Sequence, residues 1–98
     1  MTVSGVSRYR GGTIDVVTPL ARRMQAAHAR HGVLYRLSRF HAGANAGDWS
    51  TIVQYADWTA YEAAQQAFAG DAEYQQTSTE IAGIARRISR ELVDDIDL

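Results

Sequence analysis

Two side chains suited to acid–base and anion-binding chemistry, Arg39 and His41, lie two residues apart. They continue an alternating run through Val33, Tyr35 and Leu37, so a strand here would place all five on one face. A histidine can take a proton near neutral pH, and an arginine can hold a carboxylate or an enolate oxygen. If this face points inward, the pair is predicted to be catalytic, at the polar end of a pocket. If it points to a partner subunit, both are interface residues, and His41 is equally explained as a solvated strand end.

Aromatic side chains are concentrated around the middle of the chain and the segment that follows. Tyrosine and tryptophan combine apolar bulk with a polar tip, which suits a pocket for a flat organic ligand. The alternative for each residue is ordinary packing in the core. The predicted pocket residues are Tyr35, Trp49, Tyr55, Trp58, Tyr61 and Tyr74.

The residue types that bind metals and cofactors are scarce. His28 and His31 are three residues apart and could project together from a helix, but no third ligand stands at a useful spacing. A histidine near a helix C-terminus is also favoured by the helix dipole. There is no cysteine, and all ten basic residues are arginine. Thiolate, Schiff-base and Walker-type phosphate chemistry are therefore excluded, and we expect no metal and no cofactor.

Length and charge restrict the class of protein. The 98 residues correspond to one domain, residues 1–98, and a domain this small is often marginal alone. A net charge of −1 argues against nucleic-acid binding, which needs a basic surface. No stretch approaches the roughly 20 apolar residues of a membrane span, and no signal-peptide core is visible. The sequence predicts a cytoplasmic protein that binds neither nucleic acid nor membrane.

Four segments have the alternation typical of strands. They are residues 3–10, 33–41, 48–56 and 88–98. The loop at residues 42–47 is rich in glycine, alanine and asparagine, which predicts a hairpin between the two middle strands.

The first helix is predicted to start at Thr18 as N-cap with Pro19 in the first helical position. A start as early as Ile14 is the alternative, because proline is tolerated in a first turn. Gly32 stands where a left-handed C-cap belongs.

Two further helices follow the hairpin. Asp57 or Thr59 can cap the second, which ends at Gly70. Asp71 can cap the third, whose apolar face continues to Ile88 and so overlaps the last predicted strand. Three arginines near this overlap suit the negative end of a helix dipole, and they are Arg86, Arg87 and Arg90.

The order β-α-β-β-α-α-β predicts an α+β domain of the ferredoxin-like kind, with a four-stranded antiparallel sheet. Helices can cover only one face of that sheet. Yet the middle strands carry apolar residues in both phases, such as Leu34 against Tyr35 and Ile52 against Val53. A second copy of the chain is the simplest cover for the other face, which predicts a homodimer.

The stretch VQYADWTAYEAAQQAFAGDAEYQ, residues 53–75, resembles the strand-turn-helix of the dimeric α/β-barrel superfamily, with its antibiotic-biosynthesis-monooxygenase-like and NIPSNAP-like families. Tyr55, Trp58 and Tyr61 stand where that pattern has aromatic residues. The segment DAEY at 71–74 resembles the acidic-aromatic segment of NIPSNAP-like proteins. The HGV at 31–33 resembles their entry to the second strand.

The resemblance implies a ferredoxin-like domain that pairs as a dimeric α/β barrel and binds a small hydrophobic or aromatic ligand. It further implies a cofactor-independent monooxygenase or isomerase that acts on an aromatic or polyketide-like substrate through a stabilised enolate. His41 or a pocket tyrosine would take the proton, and Arg39 would hold the oxyanion. Haem-degrading relatives carry a ligating histidine on the helix after the third strand, and residues 58–69 contain none. The alternative is a non-catalytic dimeric module that binds a ligand or a protein.

Overall fold

The computed structural model describes residues 1–98, and its seven elements follow the predicted order βαββααβ. The strands are β1 (Val3–Arg10), β2 (Leu34–Arg39), β3 (Trp49–Tyr55) and β4 (Arg86–Asp94). The helices are α1 (Ile14–Arg30), α2 (Trp58–Ala69) and α3 (Ala72–Ile84). None of these helices is long and apolar enough to cross a membrane.

The four strands form one antiparallel sheet in the order β2-β3-β1-β4. This arrangement confirms the predicted α+β ferredoxin-like fold with a four-stranded antiparallel sheet. Successive side chains of a strand point to opposite faces, and the odd-numbered residues of β1, β2 and β3 face the helices. Tyr35, Trp49 and Tyr55 are therefore buried.

Buried apolar side chains form two clusters between the sheet and the helices. The first cluster joins α1 and α3 to the sheet and consists of Val17, Ala21, Met24, Tyr35, Trp49 and Ile81. The second lies under α2 and consists of Val3, Val33, Tyr55, Ala64 and Phe68. Most of the apolar burial is thus on one face of the sheet, which is where a ligand site can be enclosed.

The start of α1 corresponds to the earlier of the two predicted positions. Ile14 is the first helical residue and Thr13 is the N-cap, so the predicted cap at Thr18 is wrong. The Thr18 hydroxyl instead donates to the carbonyl oxygen of Ile14 at 2.6 Å, inside the helix. Pro19 also lies inside the helix, where its missing N–H removes one helical hydrogen bond.

The caps of the two other helices are aspartates. Asp57, rather than Thr59, caps α2 and accepts from the N–H of Ala60 at 2.7 Å. Asp71 caps α3 in the same way, accepting from the N–H of Tyr74 at 3.0 Å. Helix α3 ends at Ile84, so its predicted continuation to residue 88 is wrong. The predicted role of three arginines at its C-terminus is wrong too, because Arg86, Arg87 and Arg90 lie on β4.

One extra residue interrupts the pairing of β4 with β1. Ser7 is opposite Arg90, whereas Tyr9 is opposite Arg87, so a step of two residues on β1 corresponds to three on β4. Residues three apart in a regular strand point to opposite faces. The bulge therefore places Arg87 and Arg90 on the same, helix-covered face.

The other face of the sheet carries no helix. Val6 and Ile52 are half-buried near its centre, and Leu34 is 66% exposed at the β2 edge. Val93 on β4 is exposed as well. This open face combines apolar and polar side chains, as the two phases of the middle strands predict.

Candidate functional site

A cavity lies between the sheet and the helices because β1 offers little side-chain volume there. Gly5 and Ser7 are its inward-facing residues at this point, and Thr51 lies opposite Ser7 on β3. The inner cavity has a volume of about 80 Å³. It adjoins a wider outer cleft of about 330 Å³ beside α3. Both are lined by Tyr9, Met24, Tyr74, Ile81 and Arg87, so they form one continuous site.

Stacked aromatic rings support the walls of this site. The ring centroids of Tyr9 and Trp49 are 4.3 Å apart, and those of Phe68 and Tyr74 are 4.4 Å apart. The indole Nε1 of Trp49 donates to the carbonyl oxygen of Gly11 at 2.9 Å, which fixes the ring. Rings held by packing and by a hydrogen bond offer a preorganised surface to a flat ligand.

His28 is the one histidine packed among the aromatic rings of the site. It is 3% exposed, and its ring packs against those of Tyr35, Phe68 and Tyr74. Its Nδ1 donates to the carbonyl oxygen of Met24 at 2.7 Å. Because a carbonyl oxygen only accepts, the neutral ring carries its proton on Nδ1 and its lone pair on Nε2.

No protein group is hydrogen-bonded to Nε2 of His28. Only one side-chain nitrogen or oxygen atom is fully inaccessible to solvent and also lacks a hydrogen-bond partner, and it is Nε of Arg8. Nε2 of His28 lacks a partner and is not that atom, so it is not fully enclosed. Nε2 is therefore open to the inner cavity, which His28 lines. Burial lowers the pKa of His28, and its hydrogen bond to Met24 opposes that effect only in part. A neutral imidazole with a free Nε2 is equipped to accept a proton.

The buried tyrosines of the site are hydrogen-bond donors rather than bases. Burial raises the pKa of Tyr35, Tyr55 and Tyr74 above the ordinary value, so their hydroxyls stay protonated. The hydroxyl of Tyr55 also accepts from Nε2 of Gln65 at 3.3 Å. Protonated phenols can stabilise an oxyanion that develops beside them.

Arg87 and Arg90 stand at the mouth of the inner cavity, where both are exposed. Nη2 of Arg90 donates to the hydroxyl of Tyr61 at 3.4 Å. Neither arginine takes part in an ion pair. No aspartate or glutamate lines the inner cavity or the outer cleft. The mouth of the site is therefore cationic.

The structure brings most of the predicted pocket aromatics together. Those that line the inner cavity are Tyr35, Trp49, Tyr55 and Tyr74. Tyr61 stands behind this wall, with its ring edge-on to that of Tyr55. Trp58 is 40% exposed and contacts Tyr61 instead of the cavity.

Arg39 and His41 lie away from this site. Arg39 ends β2 and lines a separate cavity of about 310 Å³ beside the start of α1. His41 is exposed in the loop between β2 and β3, because the strand ends two residues before it. The sheet face that Arg39 shares with Tyr35 does point toward the helices, yet neither Arg39 nor His41 lines the inner cavity. Their catalytic roles stay a prediction.

The two histidines of α1 have separate surroundings. His28 faces the inner cavity, whereas Nε2 of His31 is 2.8 Å from Oδ2 of Asp71. No group of three histidine, aspartate or glutamate side chains in the chain is arranged to hold a metal ion.

Sequence reasoning missed His28, Arg87 and Arg90 as residues of this site. A signal existed for His28, which follows Met24 by four residues and so lies on the apolar stripe of α1. No comparable signal existed for the arginines, because their spacing of three would place them on opposite faces of a regular strand.

Comparisons with known proteins concern the fold. No protein-family pattern matches the chain, and no curated protein matches its sequence. A point variant of SnoaB, a cofactor-independent oxygenase from Streptomyces nogalater, gives a TM-score of 0.77 at 18% identity, covering 99% of this chain and 95% of that one. Unaltered SnoaB gives 0.76 at 18% identity over the same shares, 99% and 95%. Rv0793 from Mycobacterium tuberculosis gives 0.71 at 14% identity, covering 100% of this chain and 98% of that one.

These likenesses confirm the predicted ferredoxin-like fold, which this chain shares with SnoaB and Rv0793. Membership of the antibiotic-biosynthesis-monooxygenase-like family stays a prediction. The more specific likeness to NIPSNAP-like proteins stays a prediction. The TM-scores of 0.77 and 0.71 show a shared fold, at sequence identities of only 18% and 14%. A fold by itself does not determine a reaction.

Proposed function

We propose that the protein is a small-molecule enzyme of the cofactor-independent monooxygenase type, with its active site in the inner cavity. The observation that carries this proposal is the free Nε2 of a buried, neutral His28 beside stacked aromatic rings. The fold shared with SnoaB, itself a cofactor-independent oxygenase, supports the same class.

The reaction that suits this geometry begins at an acidic C–H of an aromatic substrate, next to a carbonyl group. Nε2 of His28 takes the proton, and the electron pair stays on the substrate as an enolate. The protonated hydroxyls of Tyr55 and Tyr74 donate to the enolate oxygen. Dioxygen then oxidises the carbanion: one oxygen atom becomes a new carbonyl and the other leaves as water. A CH₂ group and O₂ thus give C=O and H₂O, and no further electron donor is required.

Oxygen uptake with 2-tetralone as the probe tests this proposal, because this ketone has two fused rings and one of its CH₂ groups lies between the aromatic ring and the carbonyl group. We expect His28→Gln to lower kcat/KM by about a hundredfold or more, the usual contribution of a general base. The matched control is His41→Gln, the same change at an exposed histidine, which we expect to leave uptake unaltered. Binding of 2-tetralone without oxygen uptake by the unaltered protein would contradict the oxygenase and favour the non-catalytic ligand-binding module.

The earlier assignment of the chemistry to Arg39 and His41 makes the opposite prediction in the same assay. It requires that Arg39→Ala and His41→Gln abolish oxygen uptake while His28→Gln leaves it intact. The separate cavity that Arg39 lines and the exposure of His41 favour His28 instead.

We also propose that the open face of the sheet pairs with a second copy of the chain, as in the dimeric α/β barrels that the sequence resembles. Val6 and Ile52 lie near the centre of that face, and Leu34 and Val93 are exposed beside them. Burying this surface against its own copy would complete the apolar layer that the helices leave uncovered.

A further inference from the structure

We propose that the site takes a compact aromatic carboxylate, with the carboxylate held by Arg87 and Arg90 at the mouth and the ring in the outer cleft. This inference names a substrate class for the proposed enzyme and rests on the proposed function, because it concerns the same site. It is based on three features of the site, which are its charge, the bulge in β4 and the size of its two compartments.

The charge of the site is the first observation. The chain as a whole has a net charge of −1, yet the inner cavity and the outer cleft are lined by arginine and by no acidic residue. Four of the ten arginines, Arg8, Arg10, Arg23 and Arg30, are paired with carboxylates, and of the other six only Arg87 and Arg90 line this site. Arg87 and Arg90 have no such partner, so their guanidinium groups are available to an anionic ligand.

The bulge in β4 is the second observation. It turns both arginines toward the site, opposite Tyr9 and Ser7 of β1. A carboxylate has two oxygens and suits two neighbouring guanidinium groups, each of which presents a planar fork of N–H donors. A single exposed arginine would offer less direction and less charge than this pair.

The size of the two compartments is the third observation. A cavity of about 150 Å³ holds one benzene ring. The inner cavity, at about 80 Å³, is smaller than that, whereas the outer cleft, at about 330 Å³, can hold one or two fused rings. The ring therefore lies beside Tyr9 and Tyr74, and only a small group or a dioxygen molecule fits next to His28.

Binding of 2-naphthoate and of its neutral isostere 2-naphthamide tests the proposal, measured under nitrogen so that no oxygenation occurs. The backbone amides of Ser78 and Ala82, which line the outer cleft, report occupancy by NMR titration. We expect 2-naphthoate to bind at least about tenfold more tightly than the amide, about 1.4 kcal/mol. Arg87→Gln and Arg90→Gln should each weaken naphthoate binding by about tenfold and change amide binding by less than about twofold.

The control is Arg86→Gln, which removes the same charge from the neighbouring residue, paired with Arg10 on the opposite face of the sheet. It should leave naphthoate binding unchanged. The proposal is overturned if the amide binds as tightly as the acid, if Arg86→Gln weakens binding as much as Arg87→Gln, or if neither probe binds at millimolar concentration. The oxidation probe, 2-tetralone, carries no carboxylate, so its oxidation reports on the proposed reaction independently of these outcomes.

Discussion

At the scale of single residues, His28 shows how a helix places a reactive atom. The carbonyl oxygen of Met24, one turn earlier, accepts a hydrogen bond from Nδ1–H, so the backbone itself selects which nitrogen is free. The spacing of four residues from Met24 could have indicated that His28 is buried. It does not predict the tautomer or the neighbouring rings of Phe68 and Tyr74, which come from α2 and α3 and depend on how the helices pack.

Acid is expected to destabilise the protein through His28. In the unfolded chain the imidazole has its ordinary pKa of 6.5, whereas burial lowers the pKa in the folded state. Between those two values the unfolded state binds more protons, so the free energy of unfolding falls as the pH falls through that window. This contribution to stability is complete above pH 6.5 and is lost progressively below it.

Urea unfolding measured from about pH 7.5 to about pH 5 checks this prediction. His28→Gln should remove most of the slope, and His41→Gln should keep it. Asp48 and Asp71 do not contribute in this window, because their partners lower the pKa of each carboxyl below the ordinary 3.8. An unchanged slope in His28→Gln would contradict the assigned burial of a neutral imidazole.

At the scale of elements, β4 is where sequence and structure differ most. Apolar residues at helical spacing continue past the end of α3, so the sequence alone extends the helix through residues 86 and 87 and assigns residue 88 to both the helix and the last strand. The structure ends α3 at Ile84 and starts the strand at Arg86, with a bulge that no alternation rule reveals. The two middle strands were predictable because their side chains alternate with a period of two, whereas β1 and β4 alternate less regularly. The alignment of the arginines depends on pairing with β1, which lies far away in the sequence.

The turn between β1 and α1 is expected to tolerate no side chain at Gly11. Its φ is +109°, and a Cβ there would stand 2.9 Å from the carbonyl oxygen of Ile84 at the end of α3. Gly43 has a similar φ of +94° but open space around it. Gly11→Ala should therefore lower the free energy of unfolding by about 2–4 kcal/mol, against about 1 kcal/mol for Gly43→Ala. Urea denaturation of both variants measures the difference, and equal losses would show that α3 yields to the added methyl group.

At the scale of the whole molecule, the sheet is covered on one side only. A domain of 98 residues buries a limited core, and the clusters described above use only the helix-covered face. The sequence indicated this asymmetry, because apolar residues occupy both phases of β2 and β3. Whether a second copy occupies the open face depends on surface complementarity between molecules, which residue periodicity does not encode.

A charge in the centre of the open face is expected to separate the proposed dimer. Ile52→Glu would bury a carboxylate between two sheets without a partner, which is costly. We expect the unaltered protein to sediment as a dimer at micromolar concentration and Ile52→Glu as a folded monomer. Val16→Glu, the same kind of change at an exposed position of α1, should remain dimeric. An unaltered protein that sediments as a monomer would contradict the pairing.

The small residues at the middle of β1 leave a gap in the packing between the sheet and the helices. Gly5 and Ser7 occupy positions where larger apolar side chains would fill the space between the sheet and the helices. A chain with valine or leucine there would keep the same topology and lose the inner cavity beside His28. Among proteins with this fold, the size of two side chains on one central strand can therefore distinguish those that have a cavity between the sheet and the helices from those in which that space is filled.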